Sequence, residues 1–372
     1  MAGARQGLFV EKLSPFLKQK LQDAREHPSE QRAVLRTIEL QYIKDPREDE
    51  IDESERRRHY ESEMAIMFEG QPLKGLERLY RRSMVIEPTT VCAAHCRWCL
   101  RGQYEMFHLT NEDMTRIARY IGESDVTQDL REVLVTGGDP FMVQEKLNYL
   151  ITALGQHAPQ LRVVRIGTRV PLQQPTRITD DFVNMLASHR PRFSIEVGLQ
   201  VNHPSELFPE VLEAVERLRG AGVRFYDQSV LLKGVNDDLP TLVELFETLR
   251  YLDVEAHYLF HCIPLRGMKH HRTSLERGLD LIRQLTSSGY ASGRSKPKFT
   301  LLTDVGKVTL YEGTILDRDG DNNVLLQTGF RYEDRLSWNP MWRPPHSAIV
   351  DDKGYLRVWY LDAVEADGPG PS

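Results

Sequence analysis

The chain has 372 residues, 40% of them hydrophobic, which is enough to bury the core of one large α/β domain or of two domains. Its formal net charge of −6 provides no broad basic face, so the charge balance argues against general nucleic-acid binding. The first residues lack the apolar core of a secretory signal, and no apolar run is long enough to span a bilayer. We therefore expect a cytoplasmic protein without membrane segments.

Residues 1–80 are predicted to form a helical N-terminal extension. From residue 10 onwards this segment is dense in charge and carries apolar residues at three- and four-residue spacing, which favours helices. The strongly charged run at 45–63 predicts a solvated helix or loop rather than a binding surface.

Short β-rich runs alternate with amphipathic helical segments over residues 81–285. The β-rich runs lie at 83–88, 131–137, 161–169, 193–202, 223–232 and 255–264. Such alternation predicts a parallel sheet, either open or closed into a barrel, and (β/α) barrels carry their chemistry just after the strands. The segment 286–372 begins with a glycine- and lysine-rich loop and is predicted to continue as a small β-rich extension.

Three of the four cysteines fall within eight consecutive residues. Cys92, Cys96 and Cys99 form a C-x3-C-x2-C triplet, which in a large cytosolic protein indicates metal ligation rather than disulfides. Three thiolates can hold three corners of a [4Fe–4S] cluster, and the distant Cys262 would leave the fourth iron open to a small molecule. The alternatives are a structural zinc site, with His95 inside the loop, and incidental buried thiols.

The order of two motifs resembles the radical SAM superfamily, whose members use S-adenosylmethionine (SAM). The cysteine triplet follows the first β-rich run, and the sequence TGGDP at 136–140 follows the second. The resemblance implies that the three cysteines bind a [4Fe–4S] cluster. It also implies that Gly137, Gly138 and Asp139 belong to the motif that holds SAM.

Further stretches resemble the lysine 2,3-aminomutase family and occur in the order of that family. They are CRWCLR, VTGGDP, VVRIGTRVPLQQPTRIT, VNHPSE, DQSVLLKGVND and HHRTSLERG, followed by a glycine–lysine pair at 306–307. The resemblance implies an α/β fold, a partial (β/α)6 TIM-like barrel with a helical N-terminal and a small β-rich C-terminal extension. It also implies pyridoxal 5′-phosphate (PLP) as a second cofactor, bound covalently to Lys307.

The same resemblance implies roles for further residues. Arg101 matches the arginine that holds the substrate carboxylate, a task for which a planar guanidinium is well suited. Tyr80 matches a tyrosine near PLP. The remaining expected contacts are Arg78, Arg81 and Arg82 with the phosphate of PLP, and Asn202, His203 and Gln228 near SAM.

Two positions bear on the side chain of the substrate. Where the lysine enzymes carry an aspartate against the distal amine of lysine, this chain has Ile263, and burying a cation there without a counter-charge is costly. The second acidic contact aligns with Asp304, before a shortened glycine run. We therefore expect a substrate other than L-lysine, with arginine left open if Asp304 or another acid meets its guanidinium.

The C-terminal region departs from some members of the family, which bind zinc between subunits through a cysteine cluster. No cysteine follows Cys262 in this chain. That zinc site is therefore not expected, and a homo-oligomer stays an open expectation.

The resemblance implies a radical 2,3-aminomutase that converts an L-α-amino acid into a β-amino acid. The expected partners are a small-molecule amino acid and a reductant such as flavodoxin or ferredoxin, with no nucleic acid and no membrane. Three alternatives stay open. The same site could dehydrogenate an amino acid or eliminate a group from it, the chain could be a non-catalytic, metal-stabilised binding protein, or it could modify nucleic acid.

Overall fold

The structure is a computed structural model, and it describes residues 10–50, 66–102, 106–287, 289 and 291–364. The helices are α1 (Pro15–Glu26), α2 (Arg32–Tyr42), α3 (Asn111–Glu123), α4 (Gln144–His157), α5 (Val170–Gln173), α6 (Asp180–Ser188), α7 (Pro209–Gly220), α8 (Leu239–Tyr251), α9 (Leu275–Ser287) and α10 (Tyr332–Trp338). The strands before residue 200 are β1 (Met67–Phe68), β2 (Gln71–Pro72), β3 (Leu76–Glu77), β4 (Ser83–Thr89), β5 (Glu132–Gly137), β6 (Val163–Thr168) and β7 (Ser194–Leu199). The later strands are β8 (Arg224–Leu231), β9 (Val254–His261), β10 (Lys298–Thr303), β11 (Gly306–Thr309), β12 (Ile315–Arg318), β13 (Asn323–Arg331), β14 (Ala348–Val350) and β15 (Tyr355–Leu361).

A nine-stranded sheet forms the centre of the molecule, and its strands are ordered from β3 to β11 as they occur in the chain. Strands β4 to β10 are parallel, whereas β3 and β11 pair antiparallel at the two edges. Helices follow β4 through β9, so six strand–helix units precede the seventh parallel strand. The sheet curls into a half barrel, which confirms the predicted partial (β/α)6 fold.

Side chains of the parallel strands alternate between two environments, because successive residues of a strand point to opposite faces. Val133 and Val135 of β5, and Val164 and Ile166 of β6, are fully buried in the main hydrophobic core. The residues between them face the inside of the half barrel, where they include Leu134, Thr136, Arg165 and Gly167. The strands thus bury an apolar face and present a mixed, partly polar face to the cavity.

The N-terminal extension is helical only in its first part. Helices α1 and α2 pack together and contribute buried residues such as Leu21 and Tyr42, which agrees with the apolar spacing of the sequence. Residues 67–77 instead form β1, β2 and β3, although a helical extension was expected up to residue 80. The local cause is the turn at Glu69 and Gly70, whose φ angles of 50° and 75° suit a tight hairpin. Residues 51–63 of the charged run lie outside the described residues.

The C-terminal extension is a four-stranded antiparallel sheet in the order β12–β13–β15–β14. This agrees with the small β-rich extension predicted from the sequence. Buried polar contacts join this extension to the barrel. The Tyr360 hydroxyl lies 2.8 Å from His261 Nδ1 at the end of β9, and Asp362 accepts the backbone N–H of Leu275 at 2.8 Å. Of the helices described, none has the length and apolar character needed to cross a membrane.

Candidate active site

A cavity of about 600 Å³ occupies the concave side of the sheet. Its wall includes Cys92, Cys96 and Cys99 together with Lys307, which the sequence placed more than two hundred residues away. The predicted residues Tyr80, Arg82, Arg101, Gly137, Gly138, Asp139, Gln228 and Ile263 also line it. We call the three cysteines with the glycine turn the cysteine corner, and Tyr80, Gln228 and Lys307 the lysine corner.

The cysteine loop follows β4 and is held by the N-terminal extension. The backbone N–H of His95 donates to the Lys12 carbonyl at 2.9 Å, and that of Arg97 donates to the Gln41 carbonyl at 2.8 Å. The Arg97 guanidinium forms a buried ion pair with Glu48. These contacts fix the loop from outside, so its thiols can face the cavity.

The glycine turn after β5 lies directly against the start of the cysteine loop. The backbone N–H groups of Gly138 and Asp139 donate to the carbonyls of Thr89 and Val91 at 2.7 and 2.8 Å. A Cβ atom on Gly138 would lie only 2.4 Å from the carbonyl carbon of Thr90, and Gly137 has a φ of 110°. Both positions therefore require glycine, which explains the motif in terms of close backbone approach.

Asp139 connects the glycine turn to the end of β6. Its carboxylate accepts the Thr168 hydroxyl at 2.7 Å and the backbone N–H groups of Phe141, Arg169 and Val170 at 3.0, 2.7 and 3.0 Å. Burial raises the pKa of this carboxyl, and the four hydrogen bonds oppose that shift. Asp139 lines the cavity, but its oxygens are used to join two strand ends, so a contact with SAM stays a prediction.

Arg169 completes the cysteine corner and was not singled out from the sequence. Its guanidinium donates to Cys96 Sγ at 3.1 Å and forms a buried ion pair with Glu206. It also lies over the rings of Tyr42 and Trp98, 5.4 and 5.1 Å from their centres. A cation against a cysteine sulfur favours the thiolate form that a metal requires.

The thiols suit a cluster that is open at one corner. Burial raises the pKa of all three, that of Cys99 to about 11, so metal binding must displace their protons. Cys262, the fourth cysteine, is buried in an apolar cluster with Leu232 and Phe260 and does not line the cavity. Within the described ranges, no three Cys, His, Asp or Glu side chains converge on a single metal position. A cubane would take one thiolate on each of three irons.

The lysine corner is built around the hairpin of β10 and β11. The backbone N–H of Lys307 donates to the Tyr80 hydroxyl at 2.9 Å, and its amine lies 3.5 Å from the Gln228 side-chain oxygen. The amine also lies over the rings of Tyr258 and Phe260, 5.0 and 5.2 Å from their centres. The side chain is therefore enclosed by aromatic groups and has one neutral polar neighbour at the edge of hydrogen-bond distance.

This environment lowers the pKa of Lys307 to about 7. Burial is the main cause, and the positive charge of Arg165 adds to it, whereas Glu132 and Glu77 oppose it. Near neutral pH a large fraction of the amine is unprotonated, which is the form that reacts with carbonyl groups. The lysine corner thus has the chemistry that a covalent PLP site requires.

Arg335 closes the seam between the two edges of the sheet, and sequence reasoning did not single it out. This buried side chain contacts the Leu79 carbonyl and donates to the Val305 carbonyl at 2.6 Å. Leu79 precedes Tyr80, and Val305 lies two residues before Lys307. Arg335 therefore holds together the two segments that form the lysine corner.

The three arginines that were expected to contact the phosphate of PLP lie in different places. Arg82 lines the cavity. Arg78 donates to the carbonyls of Val126 and Arg81 and packs on Trp338, whereas Arg81 pairs with Asp129 at 2.8 Å with its side chain 65% exposed. Of the three arginines, only Arg82 thus lines the cavity, as Tyr80 does.

Arg101 lines the cavity beside the cysteine corner and forms an ion pair with Glu87 of β4. On the inner face of the sheet, Arg165 donates to Glu132 at 3.1 Å and to the Tyr226 hydroxyl at 3.1 Å. The cavity wall therefore carries two guanidinium groups, and each of them is paired with a carboxylate.

Three other predicted residues do not line the cavity. Asn202 is fully buried and donates to Gln41 at 2.8 Å, and His203 contacts the hydroxyl of Ser205 at 2.8 Å. Asp304 accepts the Ser347 hydroxyl at 2.5 Å from the C-terminal extension. These side chains are bonded to other parts of the protein, and their roles toward SAM and substrate stay predictions.

Comparison with known proteins adds an independent observation. The Radical SAM superfamily profile matches residues 86–246. A putative L-lysine 2,3-aminomutase of Aquifex aeolicus is 34% identical over 292 residues, covering 76% of this chain and 75% of that protein. An L-lysine 2,3-aminomutase of Fusobacterium nucleatum is 33% identical over 63% of this chain, and a glutamate 2,3-aminomutase of Clostridioides difficile is 33% identical over 69%. The chain spans 54% and 60% of the length of these last two proteins.

Proposed function

Because this chain belongs to the lysine 2,3-aminomutase family of the radical SAM superfamily, we propose that it is an isomerase that moves the amino group of an L-α-amino acid from Cα to Cβ. The observation that carries this proposal is the cavity that joins the three cysteines to Lys307. A radical SAM enzyme of another type needs the cysteines, but it has no need of a half-buried lysine with a lowered pKa in the same cavity.

The cofactors would lie at the two corners. Cys92, Cys96 and Cys99 would hold the [4Fe–4S] cluster that the family implies, with SAM beside the glycine turn, and Lys307 would hold PLP. When bound, these groups supply a carbon-centred radical that removes a hydrogen atom and an electron sink for the migrating nitrogen.

The residues of the chain bind and orient the reactants. Arg101 would share its guanidinium between Glu87 and the substrate carboxylate, which fixes one end of the amino acid. Lys307 would present its neutral amine to a carbonyl carbon, and its surroundings of Tyr258 and Phe260 exclude water. Arg82 would neutralise the phosphate of PLP beside Tyr80.

The test is an anaerobic assay of the full chain with reconstituted cluster, reductant, SAM and PLP. A panel of L-α-amino acids is offered, and mass spectrometry follows β-amino acids and 5′-deoxyadenosine. We expect one isomeric β-amino acid whose formation is lost in a Lys307→Ala variant. Lys298→Ala is the matched control, because Lys298 is exposed on β10, and it should retain activity.

Other outcomes would replace the proposal. If 5′-deoxyadenosine accumulated in proportion to a non-isomeric product, the enzyme would be a dehydrogenase or a lyase with the same site. If Lys307→Ala were as active as the unmodified protein, the reaction would not depend on PLP bound to Lys307. If no SAM were cleaved and zinc accompanied the purified protein, the cysteines would serve a structural metal site.

A further inference from the structure

One wall of the cavity is apolar. Leu100, Ile263 and Leu302 all line the cavity, and Ile263 packs with Leu100 and Leu302 in a separate hydrophobic cluster. We call these three residues the aliphatic patch. Ile263 is only 3% exposed, and the fully buried Leu265 and Met268 support it from behind.

The aliphatic patch adjoins both groups that would bind the ends of an amino acid. Leu100 directly precedes Arg101 in the chain. Leu302 is the direct cross-strand partner of Lys307 in the β10–β11 pair, so their Cβ atoms are neighbours on one face. An amino acid with its carboxylate on Arg101 and its amine toward Lys307 would therefore direct its side chain along this wall.

The apolar surface continues beyond the patch. Leu302 also packs against a second cluster that contains Trp98, Val230 and Phe260, and these three residues line the cavity as well. A side chain longer than one or two carbons would thus stay in contact with aliphatic and aromatic groups.

Carboxylates of the described cavity wall are engaged elsewhere. On the wall, Glu132 pairs with Arg165, and Asp139 accepts four hydrogen bonds at the glycine turn. Glu87, which does not line the cavity, pairs with Arg101. Glu77 of β3 also lines the cavity and has an interaction partner of its own, and its negative charge raises the pKa of Lys307. Asp304 does not line the cavity and accepts the Ser347 hydroxyl. A cationic side chain on the aliphatic patch would therefore be desolvated without an acidic partner among these groups.

We propose that the substrate is an L-α-amino acid with an uncharged, apolar side chain, and that Leu100, Ile263 and Leu302 select it. This inference rests on the proposed function, which places the amine at Lys307 and the carboxylate at Arg101. Lysine, arginine and glutamate would each bring a charge against the patch, and burial of an unpaired charge opposes binding.

Norleucine and lysine provide the sharpest comparison, because norleucine has the carbon chain of lysine without the terminal ammonium. Binding is measured first, by titrating the PLP-loaded full-length protein with each amino acid and following PLP absorbance without reductant. We expect norleucine or leucine to bind at least about 100-fold more tightly than lysine, arginine or glutamate. The β-amino acid product should rank in the same order in the complete assay.

An Ile263→Asp variant should reduce this preference by about tenfold or more, because it places a carboxylate on the patch. Ile349→Asp is the matched control, since Ile349 is 48% exposed on β14 and lies away from the cavity wall. It should leave the preference unchanged. If Ile263→Asp does not fold, the comparison of norleucine with lysine in the unmodified protein still tests the proposed substrate class.

The outcomes separate the two proposals. Equal or tighter binding of lysine relative to norleucine in the unmodified protein would overturn the apolar substrate class. Tight binding of norleucine with a non-isomeric product would support the substrate class and overturn the aminomutase. If no amino acid changed the PLP absorbance and none were converted, both proposals would fall.

Discussion

The cysteine corner and the lysine corner share one cavity, but they are assembled differently. The cysteine corner is held by segments from the first 206 residues, through contacts of α2, the glycine turn and the end of β6. The lysine corner unites Tyr80 with Lys307 across the seam of the half barrel, and Arg335 of the C-terminal extension holds the seam. The first has several buried polar contacts, whereas the second depends on the few contacts that cross the seam.

Because of this difference, we expect that a variant can impair the binding of one cofactor and leave the binding of the other intact. Damage to the polar network around Cys96 should affect the cluster first, and damage at the seam should affect PLP first. Variants on either side can therefore be read by two measurements on the same protein, iron content and PLP absorbance.

The largest effect is expected for Arg169→Leu. The change removes the contact with Cys96 and leaves the buried carboxylate of Glu206 without its cation, which typically costs about 3–5 kcal/mol. We expect a strongly reduced free energy of unfolding, measured by urea denaturation, and loss of iron after reconstitution.

A double variant tests whether Arg169 acts by neutralising the charge of Glu206 or by its contact with Cys96. In Arg169→Leu with Glu206→Gln both charges of the pair are removed, and the glutamine oxygen can still accept the N–H groups of Asn202 and His203. Stability should partly recover while iron binding stays impaired. Full recovery of the cluster would show that Arg169 is needed only to neutralise Glu206.

A smaller effect is expected for Arg335→Met. Two carbonyls beside Tyr80 and Lys307 lose a donor, and an unsatisfied buried group costs about 1–3 kcal/mol. PLP affinity, measured by absorbance titration, should fall about tenfold or more while iron content is retained.

Arg283→Met is the matched control for Arg335→Met, because the Arg283 side chain is 72% exposed and, among the described residues, its ion pair is a 3.9 Å contact with Asp280. It should change neither cofactor. Loss of iron together with PLP in Arg335→Met would contradict the separation of the two corners.

The mildest test is a change of pH. The pKa of Lys307 is lowered from its ordinary value to about 7, so the amine is neutral above that pH and becomes protonated below it. Attachment of PLP should therefore be nearly constant above about pH 8 and decline about tenfold per unit below pH 7. Absorbance titrations between pH 5.5 and 9 would be sufficient, because these limits lie about 1.5 units below and about 2 units above the expected pKa. A midpoint above about 9 would mean that Lys307 is not buried in solution.

The sequence predicted the local features of the site well. The C-x3-C-x2-C spacing, the glycine turn and the strand–helix alternation are short-range patterns, and the structure places all of them around one cavity. The hairpin at Glu69 and Gly70 could also have been found, because a glycine between short β-rich pairs favours a turn over a helix.

The missed residues depend on partners that are distant in the chain. Arg169 contacts Cys96 across 73 residues, and Arg335 contacts Leu79 across 256 residues. A single sequence gives no means of pairing such groups, and an arginine on a loop or helix is most often solvated. For the same reason the ion pair of Arg101 with Glu87, and the contact of Asp304 with Ser347, emerged only from the structure.

The sequential order of the sheet has a consequence for how the protein is made. Each strand from β4 to β11 pairs with the strand synthesised just before it, so the sheet can grow as the chain leaves the ribosome. The segments that hold the three cysteines are complete before β10, β11 and α10 emerge. A nascent chain would therefore finish the segments around its three cysteines first, and if Lys307 holds PLP, that cofactor could be captured only after synthesis of the C-terminal extension.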